Sequence, residues 1–169
     1  LLPQPRQGEG KPQHGLMIQR IQSIYLLLAA CLMMCTWGCP LLQFVQGEKW
    51  ATMTSIAYDA AVAQEFAGRT PWGLAILSAL VSVMACYAIF KFKNRRLQIK
   101  WTNTCLLLTV AWYATAAAYV WSRMQATGFE TIVPKAGLAL PAISLICLWL
   151  ARRGIKKDEA LVRAADRIR

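Results

Sequence analysis

The sequence predicts an all-α integral membrane protein: an antiparallel bundle of four transmembrane helices carrying a basic, cytoplasmic C-terminal helix. Three observations lead there. The 169 residues are 57% hydrophobic and 16% charged, where a soluble domain carries about a quarter charged residues. The apolar residues gather in long runs without Lys, Arg, Asp or Glu. The charges gather between those runs, and the basic ones are distributed unevenly.

Residues Leu1–Leu16 are rich in Pro, Gly and Gln and show no apolar period, so a disordered extension is expected there. Met17 stands directly before the first organised segment and reads as the natural start. From Ile21 to Gln46 there is no charged side chain, and a first span over about 21–45 follows, with Pro40 kinking or ending it. Gly47–Arg69 then forms the longest loop. Its weak period through Ile56, Ala57, Ala60, Ala61, Val62 and Phe66 predicts a short surface helix. Trp50 and Trp72 bracket that loop at headgroup depth.

The second span is expected over 71–91, with Pro71 suited to a first helical turn. Lys91, Lys93, Arg95, Arg96 and Lys100 follow without an intervening acid, making a basic hairpin loop of Lys91–Lys100. The third span, 101–122, carries small residues at Ala111, Ala114, Thr115, Ala116, Ala117 and Ala118. The four-residue spacing of Ala111/Thr115 and Ala114/Ala118 predicts close helix packing. A fourth and shortest span covers 135–151, with a kink at Pro141. The tail, 152–169, places Ile155, Leu161, Val162, Ala165 and Ile168 at helical spacing, and Glu159 with Arg163 as an i,i+4 pair. It is expected to continue the fourth span or to lie on the inner membrane surface.

Orientation follows from the basic residues. Of the 19 Lys and Arg, Lys49, Arg69, Arg123 and Lys135 fall in the loops between spans one and two and between three and four. The rest fall on the other side, which predicts both termini in the cytoplasm and a multi-pass protein of the inner membrane. The net charge of +11 is then topogenic, and nucleic acid is not an expected partner.

Chemistry-bearing groups are sparse. Cys31, Cys35 and Cys39 are spaced by four and share a helix face. A thiol metal or redox site would need paired thiols or further ligands, so these cysteines read as small apolar residues of a helix interface. His14, the single histidine, lies in the polar tail, and no haem or other cofactor is expected. No Asp, Glu, Lys, Arg or His lies within a core span, whereas coupled transporters keep such a residue at membrane depth.

Three segments carry a resemblance: MIQRIQSIYLLLAA at 17–30, FKNRRLQIK at 92–100 and IKKDEALVRAADRIR at 155–169. Together they resemble an uncharacterised family of small four-helix inner-membrane proteins of the Bacteroidota, known as a domain of unknown function. The matching residues are Gln19, Arg20, Gln22 and Tyr25; Lys93, Asn94, Arg95 and Gln98; and Lys157, Asp158, Glu159, Arg163, Asp166 and Arg167. The resemblance implies four spans and a membrane location, and no activity.

The working surface expected is therefore the cytoplasmic face: Lys93, Asn94, Arg95, Arg96, Gln98, Lys157, Asp158, Glu159, Arg163, Asp166 and Arg167. Its expected partners are anionic lipid headgroups and another membrane or cytoplasmic protein. The functional expectation is a non-enzymatic subunit or scaffold of a membrane complex. A small-solute carrier or channel and a thiol redox membrane protein are the alternatives. Basic residues of the loop are expected to pair with acids of the tail, joining the two into one surface.

Overall fold

Apolar runs without Gly or Pro in their interiors form helices, because a helix satisfies its own backbone groups wherever water is scarce. The computed structural model describes residues 13–60, 70–92, 94–127 and 131–167. Among these are four α-helices: α1 (Gln13–Cys35), α2 (Trp72–Phe90), α3 (Arg95–Thr127) and α4 (Ala139–Arg167). A 3₁₀ turn, Ala136–Leu138, leads into α4. Between the helices lie strands β1 (Leu42–Gln46), β2 (Lys49–Met53), β3 (Tyr58–Ala60) and β4 (Thr131–Pro134). The chain is thus mostly helical with one small sheet.

Neighbouring helices run antiparallel, and the contacts fix the register. Ser82 near the middle of α2 donates to the Ala30 carbonyl of α1 at 3.0 Å, while Trp37, just past α1, donates to Ser78 at 2.7 Å. The Gly73 amide at the start of α2 donates to Tyr119 near the end of α3 at 3.3 Å. Tyr113 of α3 donates to the Leu138 carbonyl ahead of α4 at 2.8 Å. Ser144, early in α4, donates to the Ala29 carbonyl of α1 at 3.2 Å. Each helix therefore has two helical neighbours, α1 beside α2 and α4, and α3 beside the same two.

The interior of this arrangement is built of small and hydroxyl side chains. Ala29, Ala30, Ser78, Ser82, Ala85, Ala88, Thr109, Ser144 and Ala151 are buried there, with Leu26, Met33, Val81, Trp112 and Leu148 as larger fillers. Small residues let backbones approach, and each buried hydroxyl turns to a carbonyl of its own or the neighbouring helix. Large apolar residues point outward instead: Ile24 and Leu27 on α1, Ile76 and Val83 on α2, Leu107 and Val110 on α3, Ile143 and Ile146 on α4.

The sheet is antiparallel, in the order β3-β2-β1-β4. Leu42 and Phe44 of β1 and Ala51 and Met53 of β2 are buried, alternating with more exposed neighbours, so one face packs inward. Gly47 has φ +58°, in the region that favours glycine, and occupies the first position of the two-residue β1–β2 turn. The sheet lies at the end where α1 finishes and α2 begins: Ser55 donates to Thr36 at 3.0 Å, and the Gly137 amide to the Pro40 carbonyl at 3.0 Å. A Cβ on Gly137 would stand 2.4 Å from that carbonyl oxygen, so the close approach requires glycine.

Several sequence expectations are corrected here. The first span was expected to reach residue 45, but α1 ends at Cys35 and 42–46 is a strand paired on both sides. Pro40 ends the helical run, and the alternation of Leu42, Gln43, Phe44, Val45 and Gln46 is a strand period masked by an apolar neighbourhood. The surface helix expected over 56–66 is replaced at its start by β3, while 61–69 lie outside the described residues. Of the tail expected to be disordered, 13–16 belong to α1 and 1–12 lie outside the description. The basic loop is shorter than Lys91–Lys100, since α3 begins at Arg95, and the tail continues α4 without a break. Pro141 falls in the first turn of α4, where its missing N–H has no helical partner to lose. Where the second span was expected, over 71–91, the chain forms the helix α2, Trp72–Phe90.

Candidate functional site

The end of the molecule opposite the sheet gathers the start of α1, the α2–α3 turn and the last turns of α4. Asn94 caps α3: its side-chain oxygen accepts the Leu97 amide at 3.3 Å. That cap lets the helix begin with Arg95 and Arg96, two cations that its dipole does not favour at this end. Gln98 is buried one turn on, and its carbonyl accepts the Thr102 hydroxyl at 2.9 Å.

Two contacts tie this end together across the whole sequence. Gln22 of α1 donates to Asp158 of α4 at 2.6 Å, and both side chains are buried. Arg96 of α3 meets Glu159 of α4 at 3.3 Å, and Arg163 pairs with the same carboxylate. A buried carboxylate needs a donor, and Gln22 supplies it. Gly154 makes room for this contact, since a Cβ there would stand 3.0 Å from the Gln22 side chain. Gln22 from the segment 17–30, Arg96 from 92–100, and Asp158 and Glu159 from 155–169 therefore converge here.

Of the residues expected at this surface, Asn94, Arg96, Lys157 and Arg163 are exposed, and Arg95 and Glu159 are partly exposed. Gln98 and Asp158 are buried and serve the interior of the junction. Lys93 and the side chains of Asp166 and Arg167 lie outside the description. Sequence reasoning missed the role of Gln22, whose amide reaches an acid 136 positions away. It also missed Trp149, Arg152, Arg153 and Lys156, which line one cavity on α4.

The other candidates do not assemble. Cys31 and Cys35 face outward on α1, and Cys39 lies beyond its end, so the stripe does not fill a helix interface as expected. Cys105 and Cys147 are the buried thiols. Among the described residues no three of His, Cys, Asp and Glu gather as a metal site. In the α3 patch Ala116 is buried and Thr115 packs beside Gly73, whereas Ala114 and Ala118 face outward.

At the sheet end, Arg123 of α3 is buried with its guanidinium 5.7 Å from the centre of the Tyr58 ring. Burial pushes the Tyr58 hydroxyl above its ordinary range, against the opposing charge of Arg123. A cavity of about 300 Å³ is lined by Leu42, Ala116, Val120, Trp121 and Ile132 among others, and its walls are apolar.

Among the described residues three helical stretches, Trp72–Phe90, Arg95–Ala126 and Ala136–Ala164, are long and apolar enough to cross a membrane. The apolar part of α1, Ile21–Cys35, is shorter. No curated protein matches the chain. A family model described as a domain of unknown function (DUF4293) matches residues 18–168, and the chain belongs to that family.

Proposed function

We propose that this chain is an integral protein of the inner membrane, a four-helix transmembrane bundle with both termini in the cytoplasm and the sheet outside. We further propose that it works as a non-enzymatic subunit or scaffold of a membrane complex, through its cytoplasmic end. The inverted arrangement of the helices supports the first part: hydroxyls and alanines inside, large apolar side chains outside. In water so much exposed apolar surface would drive association, while in lipid it is solvated. The short apolar part of α1 is completed by the chain closing into the sheet at Leu41, Leu42 and Phe44.

One observation carries the second part. Among the described side chains of the polar end, Asp158 is taken up by Gln22 and Glu159 by Arg96 and Arg163, while Lys157 stays exposed and Arg95 partly so. The junction is thus tied together from inside and presents cations outward, which suits an acidic protein partner. Affinity purification in mild detergent with mass spectrometry tests this. A partner recovered in fixed ratio from wild type and lost from the Arg95→Glu, Lys157→Glu variant is the expected result. Recovery of the chain alone, or of the same partner from both, would overturn it.

A further inference from the structure

We infer that the groove on α4 bounded by Trp149, Arg152, Arg153 and Lys156 seats one anionic phospholipid, with the phosphodiester on the cations and the glycerol and acyl end against Trp149. The inference rests on the membrane reading above. The four residues stand at i, i+3, i+4 and i+7, so they share one helix face, and they line an open cavity of about 230 Å³. Trp149 is half exposed, and Arg153 lies over its ring with the guanidinium 5.7 Å from the centre. Arg152 is partly buried, and its Nε is buried with no hydrogen-bond partner among the described residues. Lys156 is exposed. Among the described residues no acid lines the cavity, and the two acids next along α4, Asp158 and Glu159, are engaged by Gln22 and by Arg96 and Arg163.

The order of polarity along the helix selects the ligand. At ~1.5 Å rise per residue, Arg152 lies ~4.5 Å beyond Trp149 and Lys156 ~10 Å beyond it. The polar layer of a bilayer adds roughly 5–8 Å to each side of the hydrocarbon. With the Trp149 ring at the hydrocarbon boundary, where indoles settle, the three cations span the depth of the phosphate layer. A free phosphate would engage the cationic half and leave the ring unused. An acidic peptide would place carboxylates on the cations without an apolar end for Trp149. A phospholipid matches both halves at once, and the planar guanidinium of Arg152 suits a phosphate's paired oxygens.

The test is native mass spectrometry of the full chain in detergent, offered phosphatidylglycerol or phosphatidylcholine with the same acyl chains. Wild type is expected to retain one phosphatidylglycerol at least tenfold in preference. Arg152→Gln with Lys156→Gln should reduce that preference to near unity, while Lys100→Gln, an exposed cation on α3, should leave it unchanged. A matching helical circular dichroism spectrum shows that the double variant is folded, and the lipid preference of wild type is read without any variant. Equal retention of the two lipids, an unchanged preference in the double variant, or displacement by equimolar inorganic phosphate or a hexaglutamate peptide would each overturn the inference. An alkaline carbonate wash separates the two levels of failure. Release of the chain from membranes sinks the membrane reading, whereas a chain that resists the wash yet ignores headgroup charge sinks the lipid seat alone.

Discussion

The two ends of the molecule close in opposite ways. At the sheet end, backbone pairing does the work: β1 is hydrogen-bonded on both sides, and Leu41, Leu42, Phe44 and Met53 are buried over the ends of the helices. At the polar end there is no sheet among the described residues, and side chains from three helices do the work instead, through Gln22–Asp158 and Arg96–Glu159. The sheet end is closed by apolar burial, which is strong and non-directional. The polar end is joined by directional contacts of small net worth that specify position more than they stabilise. This difference teaches where function fits. An end made of adjustable, charged contacts suits binding, while an end stitched by a sheet suits holding the helices in register.

The comparison predicts unequal responses to mutation. Phe44→Ala empties a fully buried ring at the sheet end and should destabilise by about 3–5 kcal/mol, read as thermal unfolding in detergent. Gln22→Leu strips the buried Asp158 carboxylate of its donor and should cost roughly 1–3 kcal/mol or more. Asp158→Asn keeps a hydrogen bond to Gln22 possible and should cost less, so a larger loss from Asp158→Asn than from Gln22→Leu would break the account of the junction. Gly137→Ala forces a Cβ against the Pro40 carbonyl and should cost about 1–3 kcal/mol, with faster proteolysis at the β1–β2 turn. Arg96→Ala removes a largely exposed ion-pair partner and should change stability by less than ~1 kcal/mol, while loosening the last turns of α4 toward protease. An Arg96→Ala penalty as large as that of Phe44→Ala would erase the distinction between the two ends.

The same contrast explains what was legible in the sequence. Helices α2 and α3 stood out because their apolar stretches are long and bounded by charge. A pairing of loop bases with tail acids was expected from opposite charges at adjoining helix ends; Arg96–Glu159 is such a pair, whereas Asp158 turns to Gln22 instead. The sheet did not stand out. Leu42–Gln46 continues the apolar composition of α1, so the change of period from helix to strand is only five residues long. Its second partner, Thr131–Pro134, lies far along the chain, and strand pairing over such a distance leaves no local mark. The Gln22–Asp158 contact was hidden for a related reason: an uncharged amide carries no sign to match with its acid. The cavity at Trp149 needed the fold too, since its cations served equally well as a stop signal for the fourth span.

The central claim is that the sheet end and the polar end lie on opposite sides of a membrane, the polar end in the cytoplasm. Alkaline phosphatase, active when exported, tests it most directly when inserted at the Gly47–Glu48 turn or fused after Arg169. The account predicts high activity at the turn and background activity at the C-terminus, with protein levels equal by immunoblot. High activity after Arg169, or equal activity at both positions, would contradict it.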